Sequence, residues 1–234
     1  MHRFFLDFNK LGAGEIELFD KEFVFQVFKV LRFRVGETLI LFNQNSDDFI
    51  YKIIGVNKNC VRLSFLSSVS NVSVSKRKIR LFFSMTKQME KMEFVLQKCT
   101  ELGVSEFFPL ISQRTERRVL EKKERLLRIL TEATEQCGGN KIPLLHEERE
   151  LKDEFLSDRK GFVPVFAHLN GDDFIYNKFM DFCNIDIFIG PEGGFSDEEF
   201  VSAKKFGFNC LKFSERVFRA ETASIAISSL FLLS

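Results

Sequence analysis

The stretch Asp186–Phe213, DIFIGPEGGFSDEEFVSAKKFGFNCLKF, decides the fold class of this chain. Its first four residues, Asp186–Ile189, form an apolar run that predicts a strand. A glycine-rich turn leads at once into a predicted helix, Ser196–Phe206, which Gly207 closes, and a second strand is predicted over Asn209–Phe213. A strand, a helix and a strand in this order are typical of a parallel sheet covered by helices.

The same alternation extends upstream to residue 77 and downstream to the end of the chain. Strands are predicted over Ile79–Ser84, Glu106–Ile111 and Phe162–Ala167. Helices are predicted over Glu90–Leu102, Glu121–Gln136, Phe174–Phe182 and Thr222–Leu233. This part of the chain is therefore predicted to be α/β, with a mostly parallel sheet and helices on both faces. In such sheets, ligands bind beyond the carboxyl ends of the strands.

The first 65 or so residues have a different pattern, which predicts a small barrel or half-barrel with one helix. Strands are predicted over Arg3–Phe8, Thr38–Asn43, Phe49–Ile54 and Cys60–Phe65, and the helix over Lys21–Phe33. The polar stretch Gln44–Asp48 predicts a hairpin turn. Residues 66–76, LSSVSNVSVSK, are predicted to be a linker, so the sequence predicts two domains, 1–70 and 76–234.

Composition limits the class of protein. The chain has 234 residues, of which 45% are apolar and 29% charged, which is the balance of a soluble globular protein. No apolar run is long enough to span a membrane, and the start lacks the layout of a signal peptide, so we expect a cytoplasmic protein. The five cysteines and three histidines are scattered singly, which predicts reduced thiols and no metal site.

The net charge of +1 does not by itself indicate a nucleic-acid partner, but two segments are basic. Between Gln113 and Leu130 there are seven basic and three acidic residues, and Lys76, Arg77, Lys78 and Arg80 form a second cluster. Such clusters bind phosphates in nucleic-acid-binding proteins. A solvated helix face and a charged linker explain them equally well.

Two segments carry the candidate chemistry. In Ile189–Phe195, three glycines let the backbone turn sharply and approach a ligand, and Ser196 with Glu199 predicts a capping box that starts the next helix. In Arg216–Ala223, two arginines and a glutamate lie before the last helix, which Thr222 is predicted to cap. Ordinary strand-to-helix turns are the alternative. The first turn lacks both the GxGxxG and the Walker pattern, which argues against a standard dinucleotide or phosphate-loop site.

The order of these segments resembles a known family. GPEGGFSDEE at Gly190–Glu199, followed by RVFRAETASIAIS at Arg216–Ser228, resembles the RsmE-type members of the SPOUT, or trefoil-knotted, methyltransferases. Further similar segments occur in order along nearly the whole chain: Met1–Phe5, Lys29–Arg32 followed by Gly36, Lys98–Val104, Ser112–Arg114, Glu132-Ala133, Glu135-Gln136 and Ile142-Pro143. Each match is weak alone, and the set is specific.

The resemblance implies a fold and a function. It implies an amino-terminal PUA-like barrel that binds RNA and a carboxyl-terminal α/β domain with a trefoil knot. It implies a homodimer that binds S-adenosylmethionine and methylates N3 of a uridine in small-subunit (16S) ribosomal RNA. It implies neither a metal nor a membrane.

The resemblance also implies site residues. Those implied to bind the cofactor are Phe166, Ala167, Gly190, Pro191, Glu192, Gly193, Gly194, Phe213, Val217, Phe218 and Arg219. Those implied to take part in catalysis are Arg219, Glu221 and Arg114. Those implied to bind RNA are Arg3, Lys29, Arg32 and Arg114. Glu192 or Glu221 would serve as a general base, or else Arg219 or Arg114 would stabilise the negative charge of a deprotonated uracil, a role that we assign first to Arg219. An equal alternative for Glu221 is that it orients Arg219.

The chain departs from the family pattern at three places. Gln26 stands where a histidine is common, Phe213-Ser214 where Leu-Gly is usual, and Gly139 where an arginine is frequent. The alternatives are a related knotted methyltransferase acting on transfer RNA or on a ribose 2′-oxygen, a catalytically silent RNA-binding protein of the same fold, and an unrelated nucleotide-binding enzyme.

Overall fold

A computed structural model of the chain describes residues 1–7, 11–44, 47–71 and 77–233. The chain separates into two compact units. The smaller unit comprises Met1–Val74 together with Thr134–Lys141, and the larger comprises Ser75–Ala133 and Ile142–Ser234. No pattern in the sequence predicts that residues 134–141 group with the amino-terminal unit.

The smaller unit is built on a five-stranded sheet with the order β1-β3-β4-β5-β2. Its strands are β1 (Arg3–Phe5), β2 (Glu15–Leu18), β3 (Thr38–Phe42), β4 (Asp47–Val56) and β5 (Val61–Ser70). Strand β1 runs parallel to β3, and the other neighbours are antiparallel. The predicted hairpin is confirmed by the pairing of Thr38 with Lys52, whereas β2 was not predicted.

The two edge strands of this sheet contribute to one core. Phe4 on β1 and Leu18 on β2 are both buried with Leu39, Tyr51 and Leu63 from the strands between them. Phe23, Val24 and Val27 belong to the same core, and the ring of Phe4 packs on Phe23 with centroids 5.2 Å apart. The PUA-like barrel of the sequence analysis stays a prediction.

The predicted linker is wrong in its first half. Strand β5 continues to Ser70, pairing Ser67 with Ile50 and Ser70 with Asp47. Residues 66–70 are all exposed, so this part of the strand lacks the buried positions that give a strand its alternating pattern. The rest of the predicted linker includes residues 72–76, which lie outside the described residues, as does Phe8 of the first predicted strand.

The predicted helix over Lys21–Phe33 is shorter and less regular than expected. It begins as an α-helix, α1 (Lys21–Phe25), whose N-cap Asp20 accepts a hydrogen bond from the Phe23 amide at 2.8 Å. It ends as one π-helical turn, Gln26–Val30. Arg32 then adopts a φ of 54°, a left-handed conformation that ends the helix.

The larger unit contains a seven-stranded sheet in which every neighbouring pair of strands is parallel. Its strands are β6 (Lys78–Ser84), β7 (Glu106–Ile111), β8 (Leu144–Leu145), β9 (Arg149–Glu150), β10 (Val163–Asp173), β11 (Asn184–Ile189) and β12 (Asn209–Lys212). The order is β12-β10-β11-β6-β7-β8, with β9 also paired to β7.

Helices cover both faces of this sheet, which confirms the predicted α/β class. The helices are α2 (Met89–Leu102), α3 (Lys123–Cys137), α4 (Leu151–Glu154), α5 (Asp197–Lys205) and α6 (Ala220–Leu232). Leu81 and Phe83 of β6 lie in one core cluster with residues of α2 and α6. Phe82, the residue between them, lies in a second cluster with residues of α5. Successive strand residues point to opposite faces, so both faces are buried.

The predicted helix over Phe174–Phe182 is wrong. Strand β10 runs past Ala167 to Asp173, and only a short 3₁₀ turn, Tyr176–Phe179, follows it. The strand bulges, so that Ala167 and Asp172 both lie opposite Leu211. The rings of Phe174 and Phe179 then pack on Phe231, which holds this segment by core contacts rather than by helix propensity.

The buried cysteines lead to a prediction. Burial raises the pKa of Cys99 to about 12 and that of Cys210 to about 11, whereas Cys137 and Cys183 are exposed. Because the thiolate is the reactive form, we expect Cys137 and Cys183 to react with a thiol reagent at pH 8 in the native protein. Cys99 and Cys210 should react only after unfolding. Peptide mapping of the labelled protein checks this, and rapid native labelling of Cys99 would contradict the buried position.

Candidate active site

Four loops of the larger unit follow the carboxyl ends of parallel strands and therefore lie at the same edge of the sheet. They follow β7, β10, β11 and β12. The glycine-rich turn follows β11, and Arg216–Ala223 lies between β12 and α6. The two segments that carry the candidate chemistry thus meet the rule for ligand sites in open α/β sheets.

The glycine-rich turn needs glycine at two positions for different reasons. A Cβ on Gly190 would lie 2.9 Å from the Phe195 amide nitrogen, a distance that real Cβ atoms do not adopt. Gly194 has a φ of +69°, and its N–H donates to the Pro191 carbonyl at 2.8 Å. The predicted capping box is confirmed, because Ser196 and Glu199 each accept the other's backbone N–H.

Arg114 fixes this turn from the neighbouring loop. Its Nη1 donates to the Gly193 carbonyl at 2.7 Å and approaches the Phe195 carbonyl at 3.5 Å. The Gln113 amide donates to Glu199 at 2.7 Å. The structure therefore brings Arg114 and Gly193 together, although they are far apart in the sequence. Glu192 of the same turn pairs with Lys91 at 3.5 Å.

The part of β10 just before its bulge packs against the turn. The buried ring of Phe166 stacks on Phe195 with centroids 4.1 Å apart, and Ala167 is half-buried beside it. The next residue, His168, stacks on Phe200 at 4.3 Å, and its Nδ1 accepts the Asn170 N–H at 3.2 Å. Burial lowers the pKa of His168, so the imidazole is neutral at pH 7. His168 was not among the predicted site residues. Its only distinguishing feature in the sequence is its place directly after the predicted strand Phe162–Ala167.

The segment after β12 presents an open surface. Val217 and Phe218 are 77% and 38% exposed, and Arg219 is exposed beside them. Within the described ranges, no hydrogen bond or ion pair joins these three residues to Gly190–Gly194. Phe213 is half-buried and stacks on Phe174 at 4.7 Å. Exposed apolar side chains at the ligand edge of a sheet are typical of a surface that a bound apolar ring covers.

The predicted cap of the last helix is wrong. Helix α6 begins at Ala220, so Arg219 is the N-cap residue and no side chain caps the helix. Thr222 is exposed in the first turn, too far along the helix to accept from its first amides. Glu221 differs from Arg219 and Thr222, because its Oε2 is buried and has no hydrogen-bond partner among the described residues. An unpaired buried carboxylate oxygen is costly, which makes it a candidate to accept a hydrogen bond from a ligand.

The basic clusters seen in the sequence are largely neutralised by internal partners. In the segment 113–130, the ion pairs are Arg117–Glu121, Arg118–Glu150, Lys123–Glu147 and Arg125–Glu93. In the second cluster, Lys78 pairs with Glu106 and Arg80 with Asp186, while Arg77 donates to two carbonyls. Their charge therefore supports protein structure more than phosphate binding.

The three residues of the smaller unit that the resemblance assigns to RNA binding fall into two groups. Arg3 donates two hydrogen bonds to Asp48, at 2.6 and 3.2 Å, and one to the Gly139 carbonyl at 2.9 Å, and its side chain is only 8% exposed. We assign Arg3 a structural role. Lys29 and Arg32 are exposed and have no ion-pair or hydrogen-bond partner in the part of the chain that the structure describes.

A comparison with protein families decides the class of this protein. A family model described as an RNA methyltransferase domain matches residues 73–232. The chain belongs to this RNA methyltransferase family. The match begins near the start of the larger unit and includes all four loops of the candidate site.

Similar proteins and structures cover almost the whole RNA methyltransferase chain. The ribosomal RNA small subunit methyltransferase E of Rickettsia conorii is 27% identical over 99% of this chain and 96% of its own. A putative methyltransferase of Legionella pneumophila, solved with bound SAM, is 31% identical over 98% and 96% of the two chains, with a TM-score of 0.86. A ribosomal RNA small subunit methyltransferase E of Neisseria gonorrhoeae, bound to S-adenosyl methionine, is 26% identical over 98% and 95%, with a TM-score of 0.89.

Among the described residues of this RNA methyltransferase, no helix is long and apolar enough to cross a membrane. Within the same ranges, no three His, Cys, Asp or Glu side chains are grouped so that they could hold a metal ion.

Proposed function

We propose that this chain transfers a methyl group from S-adenosylmethionine to N3 of a uridine in 16S ribosomal RNA. The observation that carries the proposal is the end-to-end similarity to proteins named ribosomal RNA small subunit methyltransferase E, one of them bound to S-adenosyl methionine. The proposal includes the homodimer, the trefoil knot, the PUA-like RNA-binding domain and a cytoplasmic place of action. Sedimentation of the purified chain tests the dimer.

The residues at the sheet edge fit S-adenosylmethionine. Gly190 packs directly against the backbone of Gly194 and Phe195, which keeps the turn tight, and Val217 and Phe218 present uncovered apolar surface. We propose that the cofactor is held by the turn Gly190–Gly194, by Phe166 and Ala167 of β10, and by Phe213 with Val217–Arg219. When bound, S-adenosylmethionine supplies a methyl group already activated by the positive sulfur, so the protein has mainly to position the reactants.

Methylation of uracil N3 also requires that the N3 proton is lost as the N–C bond forms. Of the two candidate carboxylates, Glu192 is paired with Lys91, whereas Glu221 has a buried, unpaired oxygen. We propose Glu221 as the group that accepts a hydrogen bond from the substrate or its proton. The alternative that Glu221 orients Arg219 lacks support, because no ion pair joins them among the described residues.

Arg114 and Arg219 were both candidates to stabilise the negative charge of a deprotonated uracil. Arg114 is committed to the carbonyls of the glycine-rich turn, so we propose it as a positioning residue. Arg219 is exposed, and its side chain has no hydrogen-bond or ion-pair partner among the described residues, so its guanidinium is free to contact substrate. We therefore propose Arg219 as the catalytic arginine.

Arg219→Ala is expected to lower kcat for methyl transfer by about 100-fold, because one lost charge stabiliser of this kind costs roughly that much. S-adenosylmethionine should still bind, as titration calorimetry would show. Arg128→Ala, at an exposed position on α3, is the charge-matched control and should keep full activity. Unchanged kcat in Arg219→Ala would remove this residue from the catalytic site.

The proposed function is tested in cells lacking the protein. Mass spectrometry of their 16S ribosomal RNA is expected to show one missing N3-methyluridine, which the purified protein with S-adenosylmethionine restores. A methyl group on a ribose oxygen or on transfer RNA would contradict the N3 assignment. Failure to bind S-adenosylmethionine at millimolar concentration would indicate a catalytically silent RNA-binding protein.

A further inference from the structure

A ridge of exposed aromatic and basic side chains runs along one side of α1 and the π-helical turn. It consists of Phe25, Phe28, Lys29 and Arg32, which we call the Phe25–Arg32 ridge. Phe25 and Phe28 are 60% and 36% exposed, and both basic residues are exposed. The spacing of three and four residues from Phe25 places Phe28 and Lys29 on the same side of the helical segment, and Arg32 follows directly after its end. Its other side is buried in the core of the smaller unit through Phe23, Val24 and Val27.

The backbone beneath the ridge is unusual at two points. The turn Gln26–Val30 is π-helical, closed by a hydrogen bond from the Leu31 amide to the Gln26 carbonyl at 2.9 Å. Such turns are rare and occur frequently at functional sites. Arg32 then has a φ of 54°, a left-handed conformation that costs energy for a non-glycine residue. The fold thus maintains two unfavourable local geometries where the ridge is exposed.

The basic side chains of the ridge lack ion-pair partners in the part of the chain that the structure describes. Lys29 and Arg32 have no carboxylate partner there, and neither do their neighbours Lys21 and Arg34. In the segment 113–130, by contrast, four basic residues are held in ion pairs. Free cations beside exposed aromatic rings favour an anionic partner with flat faces.

We propose that the Phe25–Arg32 ridge binds a single-stranded segment of the RNA substrate. The rings of Phe25 and Phe28 stack on unpaired bases, and Lys29 and Arg32 contact the phosphates. Base-paired RNA offers its phosphates but not its base faces, which are already stacked inside the duplex. The ridge should therefore prefer single strands. This inference rests on the proposed function for the identity of the partner.

The test measures binding by the full chain to a fluorescent single-stranded oligouridine of about ten nucleotides, within the range that such sites cover. The double variant Phe25→Leu/Phe28→Leu keeps apolar side chains but removes the aromatic faces. Its Kd is expected to rise by at least about 10-fold. Binding to an RNA duplex should change less than twofold. The thermal midpoint should not change, because both side chains are exposed.

Two further variants complete the design. Phe206→Leu removes a ring that is 45% exposed on the larger unit, and it should bind the oligouridine like the wild type. Lys29→Gln/Arg32→Gln should reduce the slope of log Kd against log salt by about 1.4, because each phosphate contact on a single strand contributes about 0.7.

Three results would overturn the inference. The first is wild-type affinity in the phenylalanine double variant, and the second is an equal loss in Phe206→Leu. The third is a fall in sedimenting mass of the double variant with unchanged RNA affinity, which would make the ridge an interface between copies of the chain. If the ridge variants bind RNA like the wild type and the wild type transfers methyl groups, the ridge inference fails and the proposed function stands. If RNA binding depends on the ridge but the wild type transfers no methyl group, only the proposed function fails.

Discussion

Gly190→Ala is expected to lower the rate of methyl transfer about 100-fold or more and to weaken the binding of S-adenosylmethionine. The added Cβ would lie 2.9 Å from the Phe195 amide nitrogen and 3.2 Å from the Gly194 carbonyl carbon. Both are backbone atoms, which cannot move aside as a flexible side chain can. The turn must therefore open, and a displacement of about 1 Å in a positioning loop can cost about 100-fold in rate.

Gly193→Ala is the comparator in the same turn. A Cβ there would meet the Arg114 side chain at 3.5 Å, an ordinary contact, and Gly193 has no left-handed φ. Its loss of activity should be clearly smaller than that of Gly190→Ala. Single-turnover methylation and calorimetry with S-adenosylmethionine measure both variants. Equal losses would show that the steric argument does not explain the need for glycine at position 190.

Asp186→Ala is expected to destabilise the protein by about 3–5 kcal/mol, because it leaves the largely buried Arg80 without its carboxylate, whereas Arg159 keeps its pair with Glu154. Asp186 accepts two hydrogen bonds from Arg80, both at 2.6 Å, and a third from Arg159 at 3.4 Å. Its side chain is completely buried, and burial raises its pKa against the opposing effect of Arg80. Burial of the intact Arg80–Asp186 pair costs desolvation free energy. Removal of the carboxylate costs more, because the arginine charge then stays buried without its partner.

Urea unfolding of Asp186→Ala and of a surface control measures this effect. In Asp173→Ala, the lost pair is with Lys212 at 3.0 Å, and Asp173 is 78% exposed. The urea midpoint of that variant should hardly change, because exposed pairs contribute little. A small change in both variants would contradict the structural importance of the Arg80–Asp186 pair.

The larger unit was predictable because local signals and tertiary structure agree there. The capping box at Ser196 and the left-handed Gly103 after α2 mark helix ends by their own chemistry. The segment after Ala167 was not predictable, because its strand is held by a bulge on Leu211 and by aromatic packing from Phe231. Neither contact leaves a periodic pattern in the sequence.

The candidate site was predictable in its backbone and less so in its side chains. The need for glycine at positions 190 and 194 follows from the sequence, which predicts a tight turn between a strand and a helix there. The contact of Arg114 with the Gly193 carbonyl joins loops that are 79 residues apart, so no local pattern contains it. The internal pairing of the basic segment 113–130 depends on carboxylates from several elements, and charge counting cannot identify it.

The return of Thr134–Lys141 to the amino-terminal unit has a consequence for how such a protein is divided or recombined. Arg3 and Phe5 bind Gly139 and Glu135, so the first strand depends on residues encoded more than a hundred codons later. A fragment that stops at Ser70 lacks these partners. The amino-terminal unit therefore cannot be transferred intact by fusing residues 1–70 alone to another gene. It must be inherited together with the methyltransferase segment that contains residues 134–141.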